Sequence, residues 1–247
     1  MIDKNFKNHI KNLVEDDLII VSFCNKLYKH IAVNWVAHLQ LLNIKNYIVI
    51  ATDRETEKYL IKHKINTYYL RGTLSRRSGS GWKWRTEALR NILYFGFDVI
   101  HSDLDTIWLK DTRYLITSNY DMVVSRDDAG FPKYVSEKWG FAICPGWLFL
   151  RPTASCFLML NEICSNKKDF DDQKEINEYL FDMFGENYTM LVDNSVELTC
   201  SEINVRVVSP DLLVRGDFVK GCFACHPYMR KSSDCQSQLQ RRDFWII

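Results

Sequence analysis

The run Leu18-Ile-Ile-Val-Ser-Phe-Cys24 is apolar almost throughout. A strand with apolar residues on both faces must be covered on both faces, as in a parallel sheet lined by helices on each side. The following segments keep that architecture. From Lys29 to Leu42 the pattern turns helical, with Ile31, Trp35, Leu39 and Leu42 on one side. Tyr47–Ala51 reads as a second strand, Glu55–His63 as a short helix and Thr67–Leu70 as a third strand. The alternation predicts an α/β fold with a mainly parallel central sheet flanked by helices. No repeat, low-complexity linker or composition break divides the chain, so residues 1–247 are expected to form one domain.

Against this background, Asp98-Val-Ile-His-Ser-Asp-Leu-Asp-Thr-Ile-Trp-Leu-Lys-Asp111 carries the most chemistry. Gly96 ends the preceding helix, Val99 and Ile100 read as a buried strand, and the strand runs out into Asp103 and Asp105. In an extended chain, side chains two residues apart share a face. Two carboxylates on one face repel unless a cation lies between them. Oxygen ligands suit a hard ion such as Mg²⁺ or Mn²⁺, so the pair reads as a site for a metal and a diphosphate. The alternative is two solvated aspartates in a turn, and the apolar flanks weigh against it.

The remaining segments fill in around that stretch. Arg71–Gly81 is basic, small and flexible, and lacks the Gly-Lys-Ser/Thr that would make it a phosphate-binding P-loop. A helix is expected over Trp82–Phe95, with Lys83 and Arg85 in its first turn, where cations are unfavourable unless an anion is bound. Asp121–Ser125 reads as a strand, Arg126–Gly140 as a loop over the site, and Phe141–Pro152 as apolar chain bent at Pro145-Gly146. Helices are expected over Ala154–Ile163 and from Phe170 onward, with a late strand at Val205–Val208. The polar, basic tail ends in Phe244-Trp-Ile-Ile247, expected to dock back onto the domain.

Charge and cysteine usage narrow the function classes. A net charge of +1 gives no global attraction for nucleic acid or an anionic membrane. The polar N-terminus has no signal-peptide core, and no stretch approaches the roughly 20 apolar residues of a membrane span. The expected location is a cytosol, bacterial or that of a host cell for a viral gene. The eight cysteines are then expected to be free thiols. Cys222-Phe-Ala-Cys225-His226 matches the haem-attachment pattern, but that chemistry belongs to exported proteins.

Trp82-Lys-Trp-Arg-Thr-Glu-Ala-Leu-Arg, followed by the strand and the Asp103-x-Asp105 pair, resembles the nucleotide-diphospho-sugar transferase family, with the GT-A (Rossmann-like) fold, and is similar to glycosyltransferase family 77. Further landmarks are Asn25, Asn34-Trp35, Gly146 before Leu148-Phe-Leu-Arg-Pro152, Asp172-Gln173 with Asn177, and His226. The resemblance spans nearly the whole chain. It implies a metal-dependent glycosyltransferase, hexosyl- or pentosyl-transferring, that moves a sugar from a nucleotide-diphosphate sugar, a UDP-sugar, to a glycan or glycoprotein acceptor with retention. It implies Mn²⁺ (or Mg²⁺) held by Asp103, Asp105 and His226. Phe23, Cys24, Asn25 and Asp53 would meet the uracil and ribose. Lys83 or Arg85 would take the place of the family's usual lysine, while Asp103 and Gly146 would contact the donor. Asp172 or Gln173 would face the anomeric carbon. Cys144-Pro-Gly146 departs from the family's usual Asn-x-Gly.

A reading from another class starts from Asp103-Leu-Asp-Thr106, which fits the Asp-x-Asp-x-Thr of haloacid-dehalogenase-type Mg²⁺-dependent phosphatases, with Asp103 the nucleophile and Asp105 the general acid. That motif normally ends the first strand of its domain, and here several strands precede it. A non-catalytic carbohydrate- or nucleotide-binding module is a third possibility.

Overall fold

The apolar runs become strands and the 3.6-residue patterns become helices in the structure, a computed structural model describing residues 4–70, 80–128, 130–165, 170–228 and 232–247. In chain order the elements begin α1 (Lys4–Lys11), β1 (Leu18–Cys24), α2 (Lys29–Leu41), β2 (Tyr47–Ala51), α3 (Arg54–Lys62) and β3 (Thr67–Tyr69). Next come α4 (Ser80–Tyr94), β4 (Asp98–Ser102), β5 (Ile107–Trp108), β6 (Met122–Asp127), α5 (Lys133–Trp139), β7 (Ala142–Leu150) and α6 (Ala154–Ser165). The chain ends with α7 (Asp172–Phe184), β8 (Thr189–Met190), β9 (Val196–Thr199), β10 (Asn204–Val208), β11 (Leu213–Arg215), β12 (Ala224–His226) and α8 (Ser232–Arg241).

Among the described residues the main sheet has the order β3-β2-β1-β4-β7-β6-β10-β9-β8. The expected α/β architecture is borne out, but the sheet is mixed rather than mainly parallel: among the described residues four of its eight pairings are antiparallel, two at β7 and two where β9 and β8 extend the sheet beyond β10. β3, β2, β1 and β4 are parallel, as are β6 and β10. β7 lies between β4 and β6, antiparallel to both, so the two parallel blocks meet across it. The alternation in β1 shows why both faces are covered. Ile19 and Val21 enter a core with α1, α4, α6 and α7. Ile20 and Cys24 enter the opposite core with α2, α3 and α8. Burial of these residues is near complete, and each large aliphatic side chain contributes about 1.5–3 kcal/mol.

Three segments depart from the sequence expectation. Residues 126–140 are not one loop: Arg126 and Asp127 continue β6, and α5 comes next. Val135 and Trp139, four residues apart, are buried on one helical face, and Gly140 at φ 77° ends the helix. The bend at Pro145-Gly146 is a bulge within a continuous strand, since the pairing jumps from Val124↔Leu148 to Ser125↔Cys144. The tail forms α8 before it docks. Asn34 then donates to the Phe244 carbonyl at 2.9 Å and accepts from the Ile246 N–H at 2.9 Å. The basic stretch 71–81 lies outside the described residues as far as 79. No helix among the described residues is long and apolar enough to cross a membrane.

Candidate active site

β4 and β1 run parallel, so Ser102 and Cys24 end at the same edge of the sheet. Ligands of open α/β sheets bind beyond such carboxyl ends. Here the chain leaves β4 in a tight turn. The Thr106 N–H returns to the Asp103 carbonyl at 3.0 Å, while the Asp103 N–H and the Thr106 hydroxyl both donate to the Gly146 carbonyl, at 2.8 and 3.0 Å. Asp103 and Asp105 are therefore brought together by a turn hooked onto the β7 bulge. This corrects the expectation of an extended strand face.

β5 starts two residues after Asp105 and pairs antiparallel with β12, Ile107 opposite Cys225. That pairing carries His226 to the turn. One ligand atom from each of Asp103, Asp105 and His226 lies within 4.8 Å of the others. His226 Nε2 is 3.3 Å from Asp105 Oδ1 and 3.8 Å from Asp103 Oδ2. Adjacent ligands around an ion held at about 2.1 Å stand roughly 3 Å apart, so the group fits a divalent cation with little movement. Burial by itself would push the His226 imidazole down, but the Asp105 carboxylate and the Cys144 sulfur raise it to about 10. A cation bound there would displace that proton. The second ring nitrogen, Nδ1, faces Cys144 Sγ at 3.8 Å. A Cβ on Gly146 would overlap the His226 ring and come 3.1 Å from Asp103 Oδ2, so only glycine lets β7 approach this closely.

Arg85 reaches the group from α4. Its Nη1 donates to Asp103 Oδ1 at 2.7 Å, its Nε donates to Asp172 Oδ2 at 2.8 Å, and Nη2 also donates to Asp172. The Trp82 ring covers the guanidinium at 4.4 Å. Arg85 lies in the second turn of the helix, and its counter-charges are carboxylates rather than an anion at the helix start. His101 adds a contact from its Nε2 to Asp103 Oδ1 at 3.1 Å. Burial would raise the Asp103 carboxyl, yet Arg85, His101 and His226 hold it well below the usual carboxylate range. Burial, followed by Arg85, pushes the His101 imidazole down. Asp103 thus divides its oxygens: Oδ1 is anchored, and Oδ2 faces His226.

Asp172 and Gln173 open α7, with Asp171 capping it by accepting from the Lys174 N–H at 2.9 Å. Asp172 Oδ1 accepts the Gln173 N–H at 3.0 Å. Gln173 Nε2 donates to Asp127 Oδ2 at 3.0 Å and to the Phe131 carbonyl at 2.9 Å. The Tyr228 hydroxyl donates to the other Asp127 oxygen at 2.9 Å.

The other expected site residues are placed unevenly. Phe23 packs edge-on against Trp84 and tilted against His101, with centroids 5.4 and 5.6 Å apart. The Cys24 side chain is in the core, and its carbonyl accepts the Thr52 N–H at 2.9 Å. Asn25 Oδ1 caps the next turn, accepting from the Leu27 N–H at 2.9 Å. Asp53 caps α3 and accepts from the Lys26 N–H at 3.0 Å. Lys83 lies on α4 two residues before Arg85, so the two side chains leave the helix on nearly opposite sides, and it is Arg85 that meets the carboxylates. His101 and Tyr228 are not assigned to the site by sequence reasoning, and Asp127 falls in the segment expected to lie over the site but is given no role there. A histidine inside an otherwise apolar strand is the available signal for the first. The other two are adjacent to Gln173 only through the fold. The phosphatase reading is not favoured: β4 comes after three strands of the sheet, and Asp103 faces Arg85 and two histidines rather than a lysine.

Comparison with known proteins bears on the family and the fold. The profile of the nucleotide-diphospho-sugar transferase family matches residues 42–229. Arabinosyltransferase XEG113 of Arabidopsis thaliana is 26% identical over 165 residues, 60% of this chain and 26% of that protein. Arabinosyltransferase RRA2 of the same plant is 24% identical over 202 residues, 70% of this chain and 46% of that one. The chain therefore spans less than half the length of these two relatives. Among solved structures, the galactosyltransferase LgtC in complex with donor and acceptor sugar analogues superposes with a TM-score of 0.54 at 9% identity, covering 92% of this chain and 96% of that one. That likeness establishes the fold.

Proposed function

The chain belongs to the nucleotide-diphospho-sugar transferase family, and from that premise we propose that it transfers a sugar from a UDP-sugar to a glycan or glycoprotein acceptor, with retention at the anomeric carbon. The observation that carries this reading is the approach of Asp103, Asp105 and His226 within 4.8 Å at the edge where β1 and β4 end. Two carboxylates and one imidazole form a mixed oxygen and nitrogen set, which favours Mn²⁺ over the all-oxygen preference of Mg²⁺. Such an ion, when bound, neutralises the charge that gathers on a departing diphosphate.

The remaining roles fall to the chain's own side chains. Arg85 ties Asp103 and Asp172 together, fixing Asp103 Oδ2 towards His226. Both oxygens of Asp172 are engaged, Oδ2 by Arg85 and Oδ1 by the Gln173 N–H. Gln173 is therefore the better of the two to face the anomeric carbon, where its carbonyl dipole would stabilise developing positive charge. Phe23 and Asn25, at the end of β1, border the space for the base and ribose. Retention requires the incoming hydroxyl to arrive on the face the diphosphate leaves.

The test is proton NMR of a panel of UDP-sugars incubated with the protein and Mn²⁺, first with water as acceptor and then with glycans. The expected result is slow hydrolysis of one donor, abolished by EDTA, whose first-formed product keeps the donor's anomeric configuration. Hydrolysis indifferent to EDTA would remove the metal from the account. An inverted product would remove retention.

A further inference from the structure

We infer that Asp127 and Tyr228 are positioning residues that fix the amide of Gln173 so that its carbonyl oxygen, and not its NH₂ group, is presented to the donor sugar. This rests on the reading of Gln173 as the residue facing the anomeric carbon and deepens it. The orientation is decided by which groups can donate. Both neighbours of the Gln173 amide nitrogen, Asp127 Oδ2 at 3.0 Å and the Phe131 carbonyl at 2.9 Å, are acceptors. Turned over, the amide would set its oxygen against a carboxylate and a carbonyl, with no proton between them. The amide is therefore locked in one sense, and Oε1 is directed away from Asp127.

The lock is itself held. Asp127 is 4% exposed at the end of β6, and its Oδ1 accepts the Tyr228 hydroxyl at 2.9 Å. The Tyr228 ring is packed beneath the Arg215 guanidinium at 4.6 Å and against Gly216, where a Cβ would come within 3.2 Å of it. On the main chain, Asn177 Nδ2 donates to the Gln173 carbonyl at 2.7 Å. Three separate segments, β6, the start of α7 and the chain after β12, thus converge on one side-chain torsion. For a reaction that develops positive charge at the anomeric carbon, the orientation decides the sign of the dipole offered: the oxygen stabilises that charge and the NH₂ group opposes it. Loss of the lock should therefore lower turnover while leaving donor binding nearly intact.

The experiment compares Asp127→Ala, Asp127→Asn and Tyr228→Phe in donor hydrolysis, together with ¹⁵N NMR of the Gln173 side-chain amide. Asp127→Ala should lower kcat about tenfold or more with KM within about twofold. Asp127→Asn keeps an acceptor for Gln173 and should recover most of that loss. Tyr228→Phe removes a single hydroxyl and should lower kcat a few-fold, which keeps the test alive should Asp127→Ala fail to fold. The Gln173 amide protons should shift upfield and exchange faster in Asp127→Ala. Wild-type kcat in Asp127→Ala, a loss confined to KM, or unchanged Gln173 amide signals would each overturn the proposal. The NMR arm decides the positioning claim whatever the turnover, whereas a wild-type protein that hydrolyses no nucleotide sugar would overturn the transferase reading.

Discussion

At the residue scale, Asp103 concentrates the electrostatics. Its folded carboxyl lies below the ordinary value of 3.8 because Arg85, His101 and His226 outweigh the cost of burial. A depressed folded value means that the unfolded chain takes up the proton first as pH falls. The associated stability is therefore complete above the unfolded value and is lost as pH drops through and below it towards the folded one. Urea midpoints measured at pH 7 and pH 3 should show a smaller acid loss for Asp103→Asn than for wild type; equal losses would refute the assignment. Gly146 is the second sensitive position. Gly146→Ala should cost about 1–3 kcal/mol through overlap with His226, and weaken Mn²⁺ binding at least about tenfold, because the ring must move off its line to Asp105. A variant that binds Mn²⁺ as wild type does would show that the ring has room to shift. Sequence reasoning singles out Gly146, but its role as a gap for an imidazole depends on a residue eighty positions later.

At the scale of elements, strands and helices with regular patterns are the legible part. β1, α2, β2 and α4 are found within a few residues of where their periodicity puts them. α5 escapes a reading of the sequence because its seven residues are framed by Gly130, Pro132 and Gly140, which read as loop chemistry, and only Val135 and Trp139 mark its buried face. α8 escapes it because its face carries a cysteine and one leucine, Cys235 and Leu239, rather than a run of large aliphatics. The segment after α8 is held by buried polar contacts on α2, where Asn34 serves two backbone groups of the tail and His38 Nε2 lies 2.9 Å from the Phe244 carbonyl. Asn34→Ala strands those groups. It should cost about 1–3 kcal/mol and lower the melting temperature by roughly 2–4 °C per kcal/mol lost. Calorimetry showing an unchanged melting temperature would mean that the two Asn34 hydrogen bonds contribute nothing to stability.

At the scale of the whole molecule, the α/β class follows from the alternation of apolar runs, but the site does not follow from it. Asp103 and Asp105 stand out in the sequence because two carboxylates two residues apart lie between the apolar Val99-Ile100 and Ile107-Trp-Leu109. His226 joins them only through the β5–β12 pairing, and Gln173 meets Asp127 and Tyr228 only because β6, α7 and the segment after β12 converge. Local periodicity carries no information about such contacts, so the resemblance to a family supplies His226, Asp172 and Gln173, and no sequence signal supplies Tyr228. The central claim is that Asp103, Asp105 and His226 together hold a cation that recruits a nucleoside diphosphate. The most direct measurement is calorimetric titration of UDP into wild type, Asp105→Ala and His226→Ala, each with Mn²⁺ and with EDTA, after circular dichroism has shown all three folded. The account predicts UDP binding by wild type that requires Mn²⁺ and is lost in both variants. UDP affinity that is the same in EDTA, or retained in both variants, would contradict it.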